Sequence, residues 1–276
     1  MTLRSLQLDI RVHELYATYR SFRTLLTSSA SSLPALSVTA DTIQHTSASA
    51  AAEWLDSLFP RGSVDTDQVD LVGHSFGGGT MIWALERGVP EGEEALPVRK
   101  AVALDPWYVF PARCSIPFFE RERKAIVNLN REYSFRVDPL PLPAPIKKET
   151  DAPAVPLFAI NSSRFTLWST HFTRLKRLVR SARGSLVTLL GAGHETFSDF
   201  PLLWAPTGAT LGLMHRIDEL VYAFLQGELK DCESVKGREV DGGVLKTTTL
   251  HKGKETGKER MVGEWGDVVV HELGRD

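Results

Sequence analysis

The sequence predicts an α/β fold, in which helices cover both faces of a mostly parallel sheet. Short apolar runs typical of buried strands alternate with segments whose apolar residues have helical spacing. Polar residues follow directly after several of these runs, and chemistry in open parallel sheets gathers at the carboxyl ends of the strands. The first predicted strand and the turn that ends it span 69–76, and the other predicted strands are 98–104, 155–160 and 185–190.

Helices are predicted between and around these strands. The segment 3–27 has helix-spaced leucines, and a second helix from Gly79 to Arg87 follows the first strand directly. Two further amphipathic segments, 171–183 and 209–225, complete the set. The sheet and helices therefore account for most of residues 1–227, which we expect to form a single domain.

Three segments lack a regular pattern. Residues 28–52 are rich in Ser, Ala and Thr, which predicts a low-complexity loop that leads into a helix near residues 50–58, and residues 137–156 form a proline-rich connection. Residues 228–276 are charged and poor in large apolar side chains. We expect this tail to be disordered, with a hairpin near residues 242–250.

Composition excludes several classes of function. The chain has 276 residues, 42% of them hydrophobic, and a net charge of −2, so no basic excess indicates a nucleic-acid partner. Cys114 and Cys232 are too few and too far apart for a metal-ligand pair or a disulfide framework, and we expect neither metal nor cofactor. Reduced thiols favour a cytoplasmic location, although a signal peptide could lie upstream of Met1.

The most specific motif follows the first predicted strand. Ser75 stands between glycines in a G-x-S-x-G pattern, with a buried strand before it and an apolar helix after it, as in a nucleophile elbow. Such a turn exposes the serine Oγ and aims the next backbone N–H, that of Phe76, at a developing oxyanion. A glycine-rich turn in an ordinary α/β unit is the alternative. The residues are Gly73, His74, Ser75, Phe76, Gly77 and Gly78.

A serine nucleophile needs a base, and the base needs an acid that orients it. His194 follows the last predicted strand on a glycine-rich loop, which makes it the candidate base. Asp105 follows the strand after the elbow and is the candidate acid, with a helix N-cap before Pro106 as its alternative role. We expect the remaining histidines to be surface or packing residues: His13, His45, His74, His171, His215, His251 and His271.

Four linked segments resemble platelet-activating factor acetylhydrolases of the secreted and type-II kind, in the order of that family. The resemblance covers about residues 3–26 and 67–225. The segments are Gly73-His74-Ser75-Phe76-Gly77-Gly78, Ala103-Leu104-Asp105-Pro106-Trp107, Pro156-Leu157-Phe158-Ala159-Ile160-Asn161-Ser162 and Gly193-His194-Glu195-Thr196-Phe197-Ser198-Asp199-Phe200.

The resemblance implies an α/β-hydrolase fold and hydrolysis of the short or oxidised sn-2 acyl ester of phospholipids, without a metal. Ser75 would be the nucleophile, Asp105 the acid and His194 the base. The backbone N–H of Phe76 would be an oxyanion donor. The aromatic side chains that would line the acyl pocket, or else pack as core residues below the strand, are Trp107, Tyr108 and Phe110.

The chain departs from this family at its N-terminal side. Only 74 residues precede Ser75, and they show neither the strands expected before the elbow nor the His-Gly-rich turn that carries the second oxyanion donor. We therefore expect an incomplete α/β-hydrolase whose strand 69–73 forms an open apolar edge, prone to self-association. A general short-chain carboxylesterase or polyester hydrolase, and an inactive truncated pseudo-hydrolase, are the alternative functions.

Transient contact with a membrane surface is a further expectation. The helix 171–183 carries five basic residues, which could face phospholipid. The alternative, which we favour, is the solvated outer face of a helix that covers the sheet. The basic residues are Arg174, Lys176, Arg177, Arg180 and Arg183.

Overall fold

The structure is a computed structural model, and eight separate stretches and one single residue of the chain are described. They are residues 3–27, 57, 63–107, 155–204, 207–235, 239–240, 247–251, 254–261 and 263–273. The predicted loop 28–52 lies outside these residues, and so does the proline-rich connection up to residue 154.

Helices and strands alternate through the described residues, as predicted. The helices are α1 (Leu3–Thr27), α2 (Phe76–Arg87), α3 (Ser163–Leu167), α4 (Ser169–Ser181), α5 (Phe200–Trp204) and α6 (Gly208–Gln226), and a 3-10 turn spans His194–Phe197. The strands are β1 (Val69–His74), β2 (Val98–Leu104), β3 (Leu157–Ser162), β4 (Ser185–Leu189), β5 (Glu239–Val240), β6 (Thr247–His251), β7 (Lys254–Met261) and β8 (Val268–His271).

The main sheet has six strands in the order β1-β2-β3-β4-β8-β5. The first four strands are parallel neighbours in chain order, and β8 is antiparallel to β4. The carboxyl ends of β1 to β4 therefore lie along one edge of the sheet. The prediction of a mostly parallel α/β sheet is confirmed.

Side-chain alternation along the strands divides the core between the two faces of the sheet. Residues from β2, β3 and β4 pack against α6 on one face and against α2 and α4 on the other. Neighbouring residues such as Phe158 and Leu157 thus belong to different clusters, and both are at most 2% exposed. Helices on both faces make the central strands fully buried, which holds their ends in fixed positions.

Helix α1 packs on α2. Val12 and Tyr16 bury their side chains against Ala84, and Trp83 Nε1 donates a hydrogen bond to Asp9 Oδ1 at 2.7 Å.

No helix in the described ranges combines the length and the apolar character that crossing a bilayer requires.

Strand β1 is at the edge of the main sheet as described. Val72 on this strand is 51% exposed, and a groove of about 420 Å³ runs between β1, the start of α2, and Arg11, Glu14 and Leu15 of α1. The open apolar edge expected from the sequence is thus present in the described residues, and self-association through it stays a prediction.

The prediction of a disordered tail is wrong for residues 263–273. Strand β8 joins the main sheet beside β4, and β6 pairs with β7 in a separate hairpin, further along the chain than the predicted 242–250. The prediction relied on the charged composition of the whole tail and gave no weight to three consecutive β-branched residues, Val268, Val269 and Val270. Val268 is 3% exposed and packs in the α6-side core, so a short strand gains enough burial to be ordered.

His271 at the end of β8 is buried among polar and aromatic side chains. Its Nε2 is 2.7 Å from Thr188 Oγ1, and its ring meets the ring of Phe172 edge-on at 4.8 Å. Burial lowers the pKa of His271 to about 4, and the nearby Lys176 ammonium acts in the same direction. The folded chain therefore holds this histidine neutral where an unfolded chain would protonate it.

The free energy of unfolding should therefore decrease as the pH drops below about 6.5. Below that pH His271 is protonated in the unfolded state, whereas in the folded state it binds a proton only near pH 4. His271 alone should cost about 3 kcal/mol across this interval. Urea unfolding at pH 7, 5.5 and 4.5 measures the effect, and His271→Gln should flatten the dependence. Equal slopes in the two proteins would contradict this assignment.

Candidate active site

The turn between β1 and α2 holds Ser75 in a backbone conformation that few residues other than glycine adopt. Its φ is 55° and its ψ is −120°. The neighbouring backbone fixes this strained position, since Ser75 N donates to Leu104 O at 3.0 Å and Ser75 O accepts from Trp107 N at 2.8 Å. Such strain is typical of a serine side chain that is lifted out of the sheet for chemistry.

Two glycines of the turn are required by close backbone approach. A Cβ atom on Gly73 would lie 2.6 Å from the carbonyl of Gly77, and one on Gly78 would lie 2.8 Å from Gly73 O. At Gly77 a Cβ atom would meet nothing within 4 Å. A side chain at Gly73 or Gly78 would therefore prevent β1 from packing against the start of α2, whereas a side chain at Gly77 would not.

The three predicted catalytic side chains form one continuous chain of hydrogen bonds. His194 Nε2 is 2.8 Å from Ser75 Oγ, and His194 Nδ1 is 2.8 Å from Asp105 Oδ2. These residues follow β1, β2 and β4, three parallel strands whose carboxyl ends share one edge. Their catalytic roles remain predictions, but the structure brings all three together.

The partners of His194 define its tautomer. An ionised carboxylate only accepts hydrogen bonds, so His194 Nδ1 carries the proton that Asp105 accepts. Nε2 is then left with a lone pair, which accepts the hydrogen bond from the Ser75 hydroxyl. This arrangement is the one in which a histidine can take the proton of a serine nucleophile. The side chain of His194 is 31% exposed, so a substrate can reach it.

Ser162 holds the buried Asp105 carboxylate in place. Asp105 is fully buried and has a φ of 42°, and its Oδ1 accepts from Ser162 N at 2.6 Å while its Oδ2 accepts from Ser162 Oγ at 2.9 Å. The alternative of a helix N-cap at Asp105 concerns residues beyond Trp107, which lie outside the described residues. This role of Ser162 was not predicted from the sequence.

Two residues that sequence analysis did not place in the site also hold His194. His74 Nε2 donates to the backbone oxygen of His194 at 3.0 Å, and the Phe165 ring stacks on the His194 ring at 4.9 Å with an angle of 8°. Burial lowers the pKa of His74, and the neighbouring His194 lowers it further, which keeps this donor neutral. The motif position next to Ser75 was the one available signal for His74, while nothing in the sequence indicates Phe165.

His171, expected as a surface or packing residue, is fully buried next to the residues that follow β2, which include Asp105. Its Nε2 donates to Pro106 O at 2.8 Å, directly after Asp105, and its ring stacks on Trp168. Burial lowers the pKa of His171, so the ring stays neutral. It therefore stabilises the backbone that presents Asp105.

The predicted substrate-binding residues divide between described and undescribed positions. Trp107 lies at the site, with its ring edge-on to the His194 ring at 6.4 Å. Tyr108 and Phe110 lie outside the described residues. Phe76 is the first residue of α2, so its backbone N–H belongs to the positive end of the helix next to Ser75. Its role as an oxyanion donor stays a prediction.

The side chains of the site can also be considered as possible metal ligands. Within the described residues, no group of three or more His, Cys, Asp or Glu side chains could hold a metal ion. The hydrogen-bonded side chains of the site are those of nucleophilic catalysis, since they present a hydroxyl, an imidazole and a carboxylate in series.

An α/β sheet with a nucleophile elbow and a Ser-His-Asp chain at its carboxyl edge is the arrangement of a serine hydrolase. The family model for platelet-activating factor acetylhydrolase, isoform II, matches residues 48–136, which include Ser75 and Asp105. A platelet-activating factor acetylhydrolase from Gallus gallus is 24% identical over 178 residues, which is 63% of this chain and 29% of the relative.

Both matches are to platelet-activating factor acetylhydrolases, so the chain is similar to members of that family over part of its length. The chain thus matches less than a third of the length of this curated relative.

Removing the Ser162 hydroxyl should impair the site without dismantling it. Ser162→Ala removes one of the two hydrogen bonds from Ser162 to Asp105, and hydrogen bonds to charged groups contribute about 1.5–3 kcal/mol. We expect kcat for ester hydrolysis to fall about tenfold or more for this change. The matched control is Ser163→Ala at the adjacent, less buried position, which should retain full kcat; equal losses in both variants would argue against this role.

Proposed function

We propose that the chain is a serine esterase that acts on short or oxidised sn-2 acyl esters of phospholipids. The observation that carries this proposal is the unbroken series of contacts from Ser75 Oγ through His194 to Asp105, with both links at 2.8 Å. The partial similarity to platelet-activating factor acetylhydrolases supports a carboxylic ester hydrolase as the class of enzyme and phospholipid as the class of substrate.

In the first half of the proposed reaction, Ser75 becomes acylated. Ser75 Oγ attacks the ester carbonyl while His194 Nε2 takes the hydroxyl proton, and Asp105 stabilises the resulting imidazolium. The carbonyl oxygen becomes an oxyanion next to the start of α2, where the Phe76 N–H and the helix dipole favour negative charge. The tetrahedral intermediate then breaks its bond to the alcohol oxygen, which leaves with the proton from His194.

In the second half, water releases the acyl group. His194 Nε2 removes a proton from a water molecule, and the resulting hydroxide attacks the acyl-Ser75 carbonyl. Collapse of the second tetrahedral intermediate breaks the bond to Ser75 Oγ, which regains its proton from His194. A carboxylic acid and the free enzyme result.

We expect a short acyl chain to bind beside the aromatic side chains next to His194. Trp107 approaches the His194 ring edge-on, and Phe165 stacks on it. A general short-chain carboxylesterase or polyester hydrolase would use the same catalytic residues. The distinction therefore depends on the substrate and not on the mechanism.

Hydrolysis of a short-chain phosphatidylcholine and of a simple aryl acetate should separate these functions. The phospholipid esterase should show the higher kcat/KM on the phospholipid, and Ser75→Ala should reduce both activities to background because no other group in the proposed reaction attacks the carbonyl. A preference for the aryl acetate would favour the general esterase. A folded chain without activity on either ester would favour the inactive pseudo-hydrolase.

We further propose that membrane contact occurs through α5 and not through the basic face of α4. On α4, Lys176 lies over the ring of Phe172 and Arg180 donates to Leu273 O at 3.2 Å, so both cations have intramolecular roles. Helix α5 follows the turn that carries His194. It exposes 75% of Leu203, together with 50% of Phe200. Apolar side chains beside an active site are typical of contact with lipid.

Leu203→Ser should weaken sedimentation of the chain with phosphatidylcholine vesicles, because it removes the most exposed leucine of α5. Its activity on a soluble ester should stay unchanged. Tyr222→Ser, at the far end of α6 and 65% exposed in the native chain, is the matched control. If Leu203→Ser sediments like the native chain while Lys176→Glu with Arg180→Glu does not, α4 would be the contact surface instead.

A further inference from the structure

The later part of the loop that carries His194 is held by hydrogen bonds between Gly193 and Thr196, whereas its first residues, Leu190 and Gly191, depend on contacts with other segments. It leaves β4 at Leu189 and passes through Gly191 and Gly193 before it reaches His194. Gly191 has a φ of 81°, a conformation open to glycine and costly for other residues. A base that must stay within hydrogen-bond distance of Ser75 therefore needs the start of this loop to be held by another segment.

The C-terminal segment 263–273 supplies contacts at the start of this loop. We call this segment the C-terminal brace. Leu190 N donates to Asp267 O at 2.9 Å, and Gly266 N donates to Leu190 O at 2.9 Å, so both backbone groups of Leu190 bind the brace. These bonds continue the antiparallel pairing of β8 with β4 for one residue beyond the strand.

Trp265 of the brace lies directly against Gly191. A Cβ atom built on Gly191 would be 2.9 Å from Cγ and Cδ2 of the indole, so the ring covers the glycine backbone. Trp265 is 65% exposed, which is unusual for a tryptophan whose contribution is to the core. Its position is better explained by the contact with the loop than by burial.

The other end of the brace is anchored away from the active site. His271 contacts Thr188 Oγ1 at 2.7 Å, and Leu273 O accepts from Arg180 of α4. The turn before β8 is closed by Asp267, whose Oδ2 accepts from Glu264 N at 2.8 Å. Trp265 thus stands on a stretch that is held at both ends, and this lets its ring restrict Gly191.

From these contacts we propose that the C-terminal brace positions the catalytic base, with Trp265 as the positioning residue that acts through Gly191 and Leu190 on His194. The proposal rests on the proposed function for its kinetic consequence, because the proton transfer it affects is the one from Ser75 to His194. It assigns a role in the active site to the segment whose composition predicted a disordered tail.

Trp265→Ala in the full chain is the direct test. Without the indole, the glycine loop gains freedom and His194 spends less time in contact with Ser75, so kcat should fall about tenfold while KM stays unchanged. The rate at which a fluorophosphonate labels Ser75 should fall by the same factor. Trp265→Phe, which keeps an aromatic ring over Gly191, should restore most of both rates.

Tyr222→Ala is the matched control, because Tyr222 is equally exposed at 65% but lies on α6. Amide hydrogen exchange of residues 190–196 provides a readout that does not depend on activity. Faster exchange in Trp265→Ala, with native rates in Tyr222→Ala, is the expected result. A folded Trp265→Ala chain with native exchange, or with faster exchange but a native labelling rate, would overturn the proposal.

The same experiment separates this inference from the proposed function. If the native chain neither labels nor hydrolyses esters, the proposed function fails, and exchange of residues 190–196 alone decides whether the brace holds the loop. If Trp265→Ala does not fold, Gly191→Ala tests the contact from the loop side. That change places a methyl group within 2.9 Å of the indole and should displace the loop, so native kcat in this variant would overturn the proposal.

Discussion

The burial of the Asp105 carboxylate is the constraint on which the site depends. A fully buried charge is costly unless hydrogen-bond donors surround it, and Asp105 obtains them from the end of β3 and from the loop after β4. Ser162 supplies two donors, and His194 supplies the third. The hydrogen bond between His194 Nδ1 and Asp105 Oδ2 compensates part of the carboxylate's burial and also sets the orientation of His194, the proposed base.

The parallel sheet makes this convergence possible. Ser75, Asp105, Ser162 and His194 come from the ends of four consecutive strands, β1 to β4, which are separated by up to 119 residues between Ser75 and His194. Burial of the central strands on both faces fixes where these ends lie. The core therefore does more than stabilise the chain, because its packing sets the distances between Ser75, His194 and Asp105.

Much of this arrangement could be predicted from the sequence. Strands β1 and β2 both contain several apolar residues, and the tight turn needs Gly73, the first glycine of the motif, because a side chain there would collide with the backbone of Gly77. The roles of Ser162 and Phe165 could not be predicted, because they depend on which loop approaches Asp105 and His194 in space. Strand β8 was missed since three consecutive β-branched residues are a weak signal within a charged tail.

The central claim is that this chain by itself assembles a serine activated by His194. Labelling the purified chain with a fluorophosphonate, followed by peptide mass analysis, tests the claim most directly. We predict one labelled residue, Ser75, and a labelling rate that collapses in His194→Ala although the hydroxyl is still present. Labelling of several serines at similar rates, or an equal rate in His194→Ala, would show that Ser75 is not activated and would contradict the account.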